Sequence, residues 1–168
     1  MTAVIKGSFT GGCQCGALRY RATARRDDAH ICHCRMCQKA VGGLFAAFVG
    51  VPDKSFTWTR GHPAVFMSSD TTERGFCANC GTPVFCRYVM DDYLDINIAT
   101  LDDPSAVSPA RQIGNESRLP YVDVLHRLPG RETTTETSAP DLARQIAASN
   151  HQHPDHDTDH WTPRPKQR

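Results

Sequence analysis

Gly11-Gly12-Cys13-Gln14-Cys15-Gly16, a cysteine pair enclosed by glycines, is the stretch that decides the fold. In an extended strand, two residues separated by one position lie roughly 6.5–7 Å apart, so both sulfurs can bind one metal ion only if the backbone bends. Glycine supplies the bend because it tolerates positive φ angles and close backbone approach. A second pair, Cys77-Ala78-Asn79-Cys80, is followed by Gly81 in the same way. The spacing therefore predicts that the two pairs are halves of one closed site with four sulfur ligands.

A third cysteine group, Cys32-His33-Cys34-Arg35-Met36-Cys37, lies between these pairs and has only three cysteines. Structural zinc sites are closed by four protein ligands, whereas catalytic sites keep one position open for water or substrate. The triplet of Cys32, Cys34 and Cys37 is therefore the candidate catalytic centre. His33 or Cys86 could supply a fourth ligand instead. His33 would have to fold back sharply, and we expect it to face outward or to meet the substrate. Cys86 stands in a predicted strand, where a buried inert thiol is the commoner case.

Disulfides, an iron–sulfur cluster and a redox dithiol are the other uses of such cysteines. The two members of a Cys-x-Cys pair do not readily join in a disulfide, and disulfides are rare in a reducing cytosol. Residues 1–10 lack the apolar run of a secretory signal, and no segment has the roughly 20 apolar residues that cross a bilayer. We therefore expect a cytoplasmic protein with no membrane partner, whose cysteines bind two zinc ions per chain.

The balance of charge disfavours a polyanionic partner. The 168 residues include 19 basic and 18 acidic side chains, so neither a nucleic acid nor an anionic membrane is expected as the main partner.

Short β-branched and aromatic runs alternate with turn clusters up to Pro129, and Leu94, Ile96 and Ile98 alternate with polar neighbours as in a half-buried strand. We predict an all-β or nearly all-β domain, with a turn or two of helix after Cys34. Strands are expected near residues 18–22, 45–51, 55–59, 64–68, 84–88, 94–98 and 121–125.

After Gly130 the composition changes to Thr, Ala, Asp, His and Pro, which offer little to build a core. We therefore divide the chain into a zinc-binding domain, residues 8–130, and a disordered His-rich tail, residues 131–168. One short helix is predicted in the tail over residues 141–149, begun by Pro140. A solvated tail is the simpler interpretation, although a His-rich tract can also bind metal loosely. The tail histidines are His151, His153, His156 and His160.

Three motifs, in their order along the chain, resemble the glutathione-dependent formaldehyde-activating enzyme (GFA) family, also called the centromere-protein-V family. They are residues 11–16 (GGCQCG), 32–39 (CHCRMCQK) and 76–83 (FCANCGTP), with support from residues 101–104 (LDDP) and 118–121 (RLPY). The resemblance covers about residues 8–129 and implies a β-tent fold of small antiparallel sheets organised around zinc. It further implies a structural zinc ion at Cys13, Cys15, Cys77 and Cys80, and a catalytic zinc ion at Cys32, Cys34 and Cys37.

The resemblance also implies a carbon–sulfur lyase that condenses glutathione with formaldehyde or another small aldehyde. Zinc would hold the glutathione sulfur as a thiolate, and binding both reactants would turn a chance encounter into a positioned reaction. Arg35 and Lys39 are candidate contacts for the glutathione carboxylates, and Arg19 and Arg87 are further basic candidates. The alternatives are a non-enzymatic zinc module that binds protein or nucleic acid, and a thiol redox or metal-buffer protein that uses the triplet and the tail.

Overall fold

A computed structural model describes residues 3–132 and 138–162, and strands dominate it. The all-β prediction is confirmed. No helix in these ranges is long and apolar enough to cross a membrane. The strands are β1 (Val4–Gly12), β2 (Arg19–Arg26), β3 (His30–Cys32), β4 (Ala46–Pro52), β5 (Phe56–Arg60), β6 (Ala64–Ser69), β7 (Thr72–Phe76), β8 (Pro83–Tyr88), β9 (Tyr93–Asn97) and β10 (Arg111–Ile113), and the α-helices are α1 (Arg35–Val41) and α2 (Pro140–Ser149).

The strands form two sheets. A three-stranded sheet has the order β1-β2-β5, and a seven-stranded sheet has the order β10-β3-β4-β9-β8-β7-β6. Neighbouring strands are antiparallel, except that β10 runs parallel to β3. The main core lies between the sheets and contains Tyr20 from one sheet with Val49 and Ile96 from the other. A smaller core of Cys32, Cys37, Ala46, Phe48 and Cys86 includes two cysteines of the triplet.

Strand β9 lies at the centre of the larger sheet, between β4 and β8. Its alternating sequence predicted one buried and one solvated face, but both faces are buried. Leu94 and Ile96 belong to the main core, and the polar residues Asp95 and Asn97 are buried as well. Asp95 pairs with Cys86 of β8, in register with Arg74 of β7. Strand β9 therefore places the polar side chains of Asp95 and Asn97 in the interior, with Asp95 opposite Cys86 of the smaller core.

The strand predicted at residues 121–125 is wrong, because Pro120–Arg127 forms a 3-10 helix without buried residues. Pro120 stands in the first turn, where its fixed φ suits a helix and its missing N–H is not needed. The amide of Val122 donates to the carbonyl of Leu119 over 3.1 Å, which closes the first turn. The other predicted strands are confirmed to within a few residues, and the predicted tail helix is found at Pro140–Ser149.

Candidate metal centres and reaction site

The four cysteines of the outer pairs meet where the turn after β1 approaches the turn between β7 and β8. The Sγ atoms of Cys13, Cys15, Cys77 and Cys80 all lie within 4.8 Å of one another. The Cys13 and Cys15 sulfurs are 3.6 Å apart, and the Cys15 and Cys77 sulfurs are 3.9 Å apart. A tetrahedral site with Zn–S bonds of about 2.3 Å places its sulfurs roughly 3.8 Å apart. The donor set therefore fits a closed site with four sulfur ligands.

Glycine turns bring both pairs into this arrangement. Gly16 and Gly81 have φ angles of +78° and +80°, a region that side chains with a Cβ rarely adopt. The Gly16 amide donates to the Cys13 carbonyl over 3.0 Å, and the Gly81 amide donates to the Cys77 carbonyl over 2.8 Å. The bends predicted at these two glycines are confirmed, and each one folds a cysteine pair back towards a common point.

Hydrogen bonds to sulfur favour the thiolate form of cysteines in the four-cysteine group. The Asn79 side-chain amide donates to the Cys15 sulfur over 3.1 Å. Burial opposes ionisation of Cys80, but hydrogen bonds, led by the one from the Thr82 hydroxyl, lower the pKa of this thiol to about 6. Burial raises the pKa of Cys13. The group thus has one sulfur that ionises readily and one that needs a positive partner to do so.

The triplet is built where β3 passes into α1. Cys32 ends β3, Cys34 is the N-cap of α1, and the Cys34 sulfur accepts a 3.4 Å hydrogen bond from the Cys37 amide. The three Sγ atoms lie within 4.8 Å of one another, and no other His, Cys, Asp or Glu of the described residues joins them. Cys32 and Cys37 are buried, whereas Cys34 is half-buried. The triplet is therefore a three-ligand group accessible on its Cys34 side.

A distant segment fixes the backbone around the triplet. Ile113 of β10 is the register partner of Cys32 and accepts a 2.9 Å hydrogen bond from the His33 amide. A Cβ on Gly114 would lie 2.7 Å from the Cys34 nitrogen, so this position excludes a side chain. The Gln38 side-chain amide donates to the His33 carbonyl over 2.7 Å and to the Ser117 carbonyl over 3.0 Å. Residues 112–117 thus form a wall of the site.

The structure settles the positions of the two alternative ligands. His33 is fully buried, so the outward orientation is wrong. Its Nε2 pairs with the Gln112 side-chain oxygen at 2.8 Å, and its ring packs edge-on against Phe45. Cys86 is buried as predicted, and burial raises the pKa of its thiol to about 11. Neither residue belongs to the ligand group.

Arg74, which sequence reasoning missed, is a buried cation beside the triplet. It is 8% exposed, and its guanidinium donates to the Cys37 sulfur over 3.4 Å and to the Ser68 hydroxyl over 3.2 Å. The hydrogen bond from the Cys32 thiol and the Arg74 guanidinium together lower the pKa of Cys37 to about 5, against the effect of burial. The available signal was the alternation of β7, which places Arg74 on the same face as the buried Thr72.

The four predicted glutathione contacts have different surroundings. Arg19 is 3% exposed and donates to both carboxylate oxygens of Asp102 over 2.7 and 2.5 Å, while Arg87 pairs with an aspartate at 2.7 Å. These two arginines are engaged in structural ion pairs. Arg35 and Lys39 lie exposed on α1 beside the triplet, where Arg35 donates to the Gln38 side chain.

A cavity of about 700 Å³ lies between α1 and strands β6 to β8. Met36, Lys39 and Ala40 line it from one side of α1, and Phe66 and Phe76 line it from the sheet. Arg74 also lines the cavity while it contacts Cys37. The cavity is therefore separated from the triplet by the Arg74 and Met36 side chains.

Part of the predicted disordered tail has specific contacts with the four-cysteine group. The Trp161 indole N–H donates to the Cys15 carbonyl over 2.6 Å, and the His153 amide donates to the Gln14 carbonyl over 2.7 Å. Asp157 pairs with Arg19 at 2.8 Å. Within the described ranges the tail histidines form no metal-ligand group. Residues 133–137 and 163–168 of the predicted tail lie outside the described residues.

Comparisons with known proteins agree with these motifs. The sequence model of the family described as glutathione-dependent formaldehyde-activating enzyme matches residues 8–117. A Schizosaccharomyces pombe protein described as an uncharacterized lyase is 30% identical over 80 residues, which are 48% of this chain and 58% of that relative. The chain thus spans little more than half of the relative's length. A crystal structure of a Rhodobacter sphaeroides protein is similar with a TM-score of 0.50 and 20% identity, over 61% of this chain and 98% of the other. That similarity concerns the fold alone.

Proposed function

Because the chain belongs to the glutathione-dependent formaldehyde-activating enzyme family, we propose that it is a carbon–sulfur lyase that reversibly joins glutathione to formaldehyde or another small aldehyde. The relative described as an uncharacterized lyase supports a lyase activity. The observation that carries the proposal is the triplet, whose three sulfurs lie within 4.8 Å with no fourth ligand among the described residues. Such a group leaves a position for a substrate sulfur.

We assign zinc to both cysteine groups. Thiolates are soft ligands that suit zinc, and a closed set of four is typical of structural sites. The structural ion belongs to Cys13, Cys15, Cys77 and Cys80, and the catalytic ion to Cys32, Cys34 and Cys37. When bound at the triplet, zinc supplies a Lewis acid that favours the thiolate form of a sulfur ligand.

Residues of the chain supply a positive charge beside the triplet and exclude water from its inner side. Arg74 holds a positive charge beside the Cys37 sulfur, which favours thiolate over thiol in its neighbourhood. Burial of Cys32 and Cys37 keeps water from the inner side of the triplet, and the half-buried Cys34 marks the side open to substrate. Lys39 and Arg35, exposed on α1, offer cations to the glutathione carboxylates.

The test is the rate at which S-(hydroxymethyl)glutathione forms and breaks down at equilibrium, measured by exchange NMR on metal-loaded protein. We expect the rate to exceed the spontaneous one, and the Cys34→Ser variant to lose this acceleration together with one bound metal ion. Cys86→Ser is the matched control, because Cys86 is a buried thiol outside the ligand group. Wild-type protein that holds both metal ions yet gives no acceleration would overturn the proposal and favour a non-enzymatic zinc module.

A further inference from the structure

We propose that the cavity between α1 and strands β6 to β8 binds the apolar substituent of an aldehyde, so that the site prefers adducts of larger apolar aldehydes over the formaldehyde adduct. The inference rests on the proposed function, since it places carbon–sulfur chemistry at the triplet. It adds the class of aldehyde, which family membership does not specify.

The cavity borders the reaction site at two side chains, Met36 and Arg74. Met36 stands between the ligands Cys34 and Cys37 in the sequence, and its side chain lines the cavity. Arg74 lines the same cavity and donates to the Cys37 sulfur over 3.4 Å. A substrate whose reacting carbon lies at the triplet therefore has the cavity as the adjoining space for the rest of its structure.

The cavity is far larger than formaldehyde requires. Its volume of about 700 Å³ lies in the range of small-molecule sites, roughly 300–1,000 Å³. Formaldehyde has a single carbon atom and no substituent to place there. Side chains that line the cavity remain open to solvent, with Phe66 61% and Met36 45% exposed. Covering these apolar surfaces with an apolar group would remove them from water, which is favourable.

The chemistry of the wall selects an apolar group rather than the body of glutathione. Ala40, Val41 and Phe76 contribute apolar surface. Glutathione carries two carboxylates and an ammonium group, which would lose hydration against such a wall. Arg74 already donates to Ser68 and Cys37, and the exposed Lys39 is the cation placed to meet a carboxylate at the rim. The tripeptide thus belongs outside the cavity and the aldehyde substituent inside it.

The reaction itself is the same for every aldehyde. The glutathione sulfur forms a bond to the carbonyl carbon, the π bond of the carbonyl breaks, and the thiol proton ends on the oxygen. The reverse step returns the aldehyde and the thiol, and no oxidant or reductant is needed. The substituent takes no part in bond making, so the cavity acts through binding.

Binding of two stable thioethers to the metal-loaded protein tests the cavity directly. We expect S-hexylglutathione to bind at least tenfold more tightly than S-methylglutathione in calorimetric titrations, since each buried methylene contributes about fourfold in affinity. Ala40→Trp fills the cavity from α1 and should reduce this ratio towards one. Ala148→Trp is the matched control, because Ala148 is exposed on α2, outside the residues that line the cavity.

Turnover of hexanal and formaldehyde with glutathione separates the two levels of the proposal. A faster exchange for the hexanal adduct, lowered by Ala40→Trp, is the expected result. Equal affinities of wild-type protein for the two thioethers would overturn the cavity assignment, even with formaldehyde turnover intact and whatever the folding of the variants. Tight S-hexylglutathione binding without acceleration for either aldehyde would instead overturn the proposed function and, with it, the aldehyde assignment.

Discussion

Asp95 lies in β9, opposite Gly50 of β4 and Cys86 of β8, in a buried region. Burial raises the pKa of this carboxyl from 3.8 to about 6, although the nearby His30 and Arg26 act in the opposite direction. The native state therefore binds the Asp95 proton more tightly than the unfolded chain does. Between about pH 4 and pH 6 the native protein loses this advantage as the pH rises, because it must then hold a buried carboxylate.

Asp95→Asn should consequently make the protein more stable at pH 7.5, with a clearly smaller gain at pH 4.5, where the native carboxyl is protonated. The expected gain at pH 7.5 is about 1–2 kcal/mol, within the roughly 3 kcal/mol that two pKa units represent. Urea unfolding of the metal-loaded proteins at the two pH values measures it, and Asp92→Asn serves as the exposed control. A gain at pH 4.5 as large as that at pH 7.5 would contradict the assignment.

Individual residues differ in how far their sequence predicts their place. The two cysteine groups were predicted from spacing, because ligands of one ion must lie within a few ångströms and glycine turns allow it. Arg74 was not found, since a lone arginine in a short strand has no motif and becomes notable only when β7 lies beside the triplet. Arg19 was misread for a similar reason, because its partner Asp102 lies 83 residues away in the chain.

At the scale of elements, a short run of β-branched and aromatic residues was a good guide to a strand, as in β4, β5 and β8. It gave no separate indication of β1, whose Gly, Ser and Lys residues dilute the pattern. It was misleading at Pro120–Arg127, where such a run follows a proline that begins a 3-10 helix. Composition likewise gave no indication that residues 151–161 contact the four-cysteine group, because those contacts use backbone carbonyls and one indole.

Trp161→Ala should speed the release of metal from the four-cysteine group. The indole donates to the Cys15 carbonyl and lies against Gly16, so the segment that carries it covers one side of the group. One hydrogen bond contributes about 1 kcal/mol, equivalent to about fivefold in the rate if the segment must leave first. Chelator-driven release measured with a colorimetric indicator tests this, with Ile146→Ala on the exposed side of α2 as control. Equal rates in wild type and variant would show that the contact does not govern metal loss.

At the scale of the whole molecule, the four-cysteine group joins the two sheets. Cys13 and Cys15 follow β1 of the three-stranded sheet, and Cys77 and Cys80 lie between β7 and β8 of the seven-stranded sheet. The triplet instead lies at β3 and α1, within the region of the larger sheet. Metal at the first group therefore links separate parts of the fold, whereas metal at the triplet does not.

Cys77→Ser should accordingly lower the melting temperature by about 10 °C or more, since structural zinc contributes several kcal/mol and 1 kcal/mol corresponds to about 2–4 °C at this size. Cys34→Ser should leave the melting temperature nearly unchanged while it abolishes thiol binding. Scanning calorimetry together with metal counting on both variants measures the difference. Similar thermal losses in the two variants would contradict a structural role for one group and a catalytic role for the other.

The parallel pairing of β10 with β3 bears on how the protein reaches its folded state. The bonded side chains of His33 and Gln112 are 79 residues apart in the chain, so the wall beside the triplet forms only after a long loop has closed. Strands β3 and β9 can each pair with β4 before that event. Until residues 112–117 reach the triplet, the thiols of Cys32, Cys34 and Cys37 are less buried and can react with aldehydes or oxidants. We therefore expect early metal loading to protect the newly made chain from damage at the triplet.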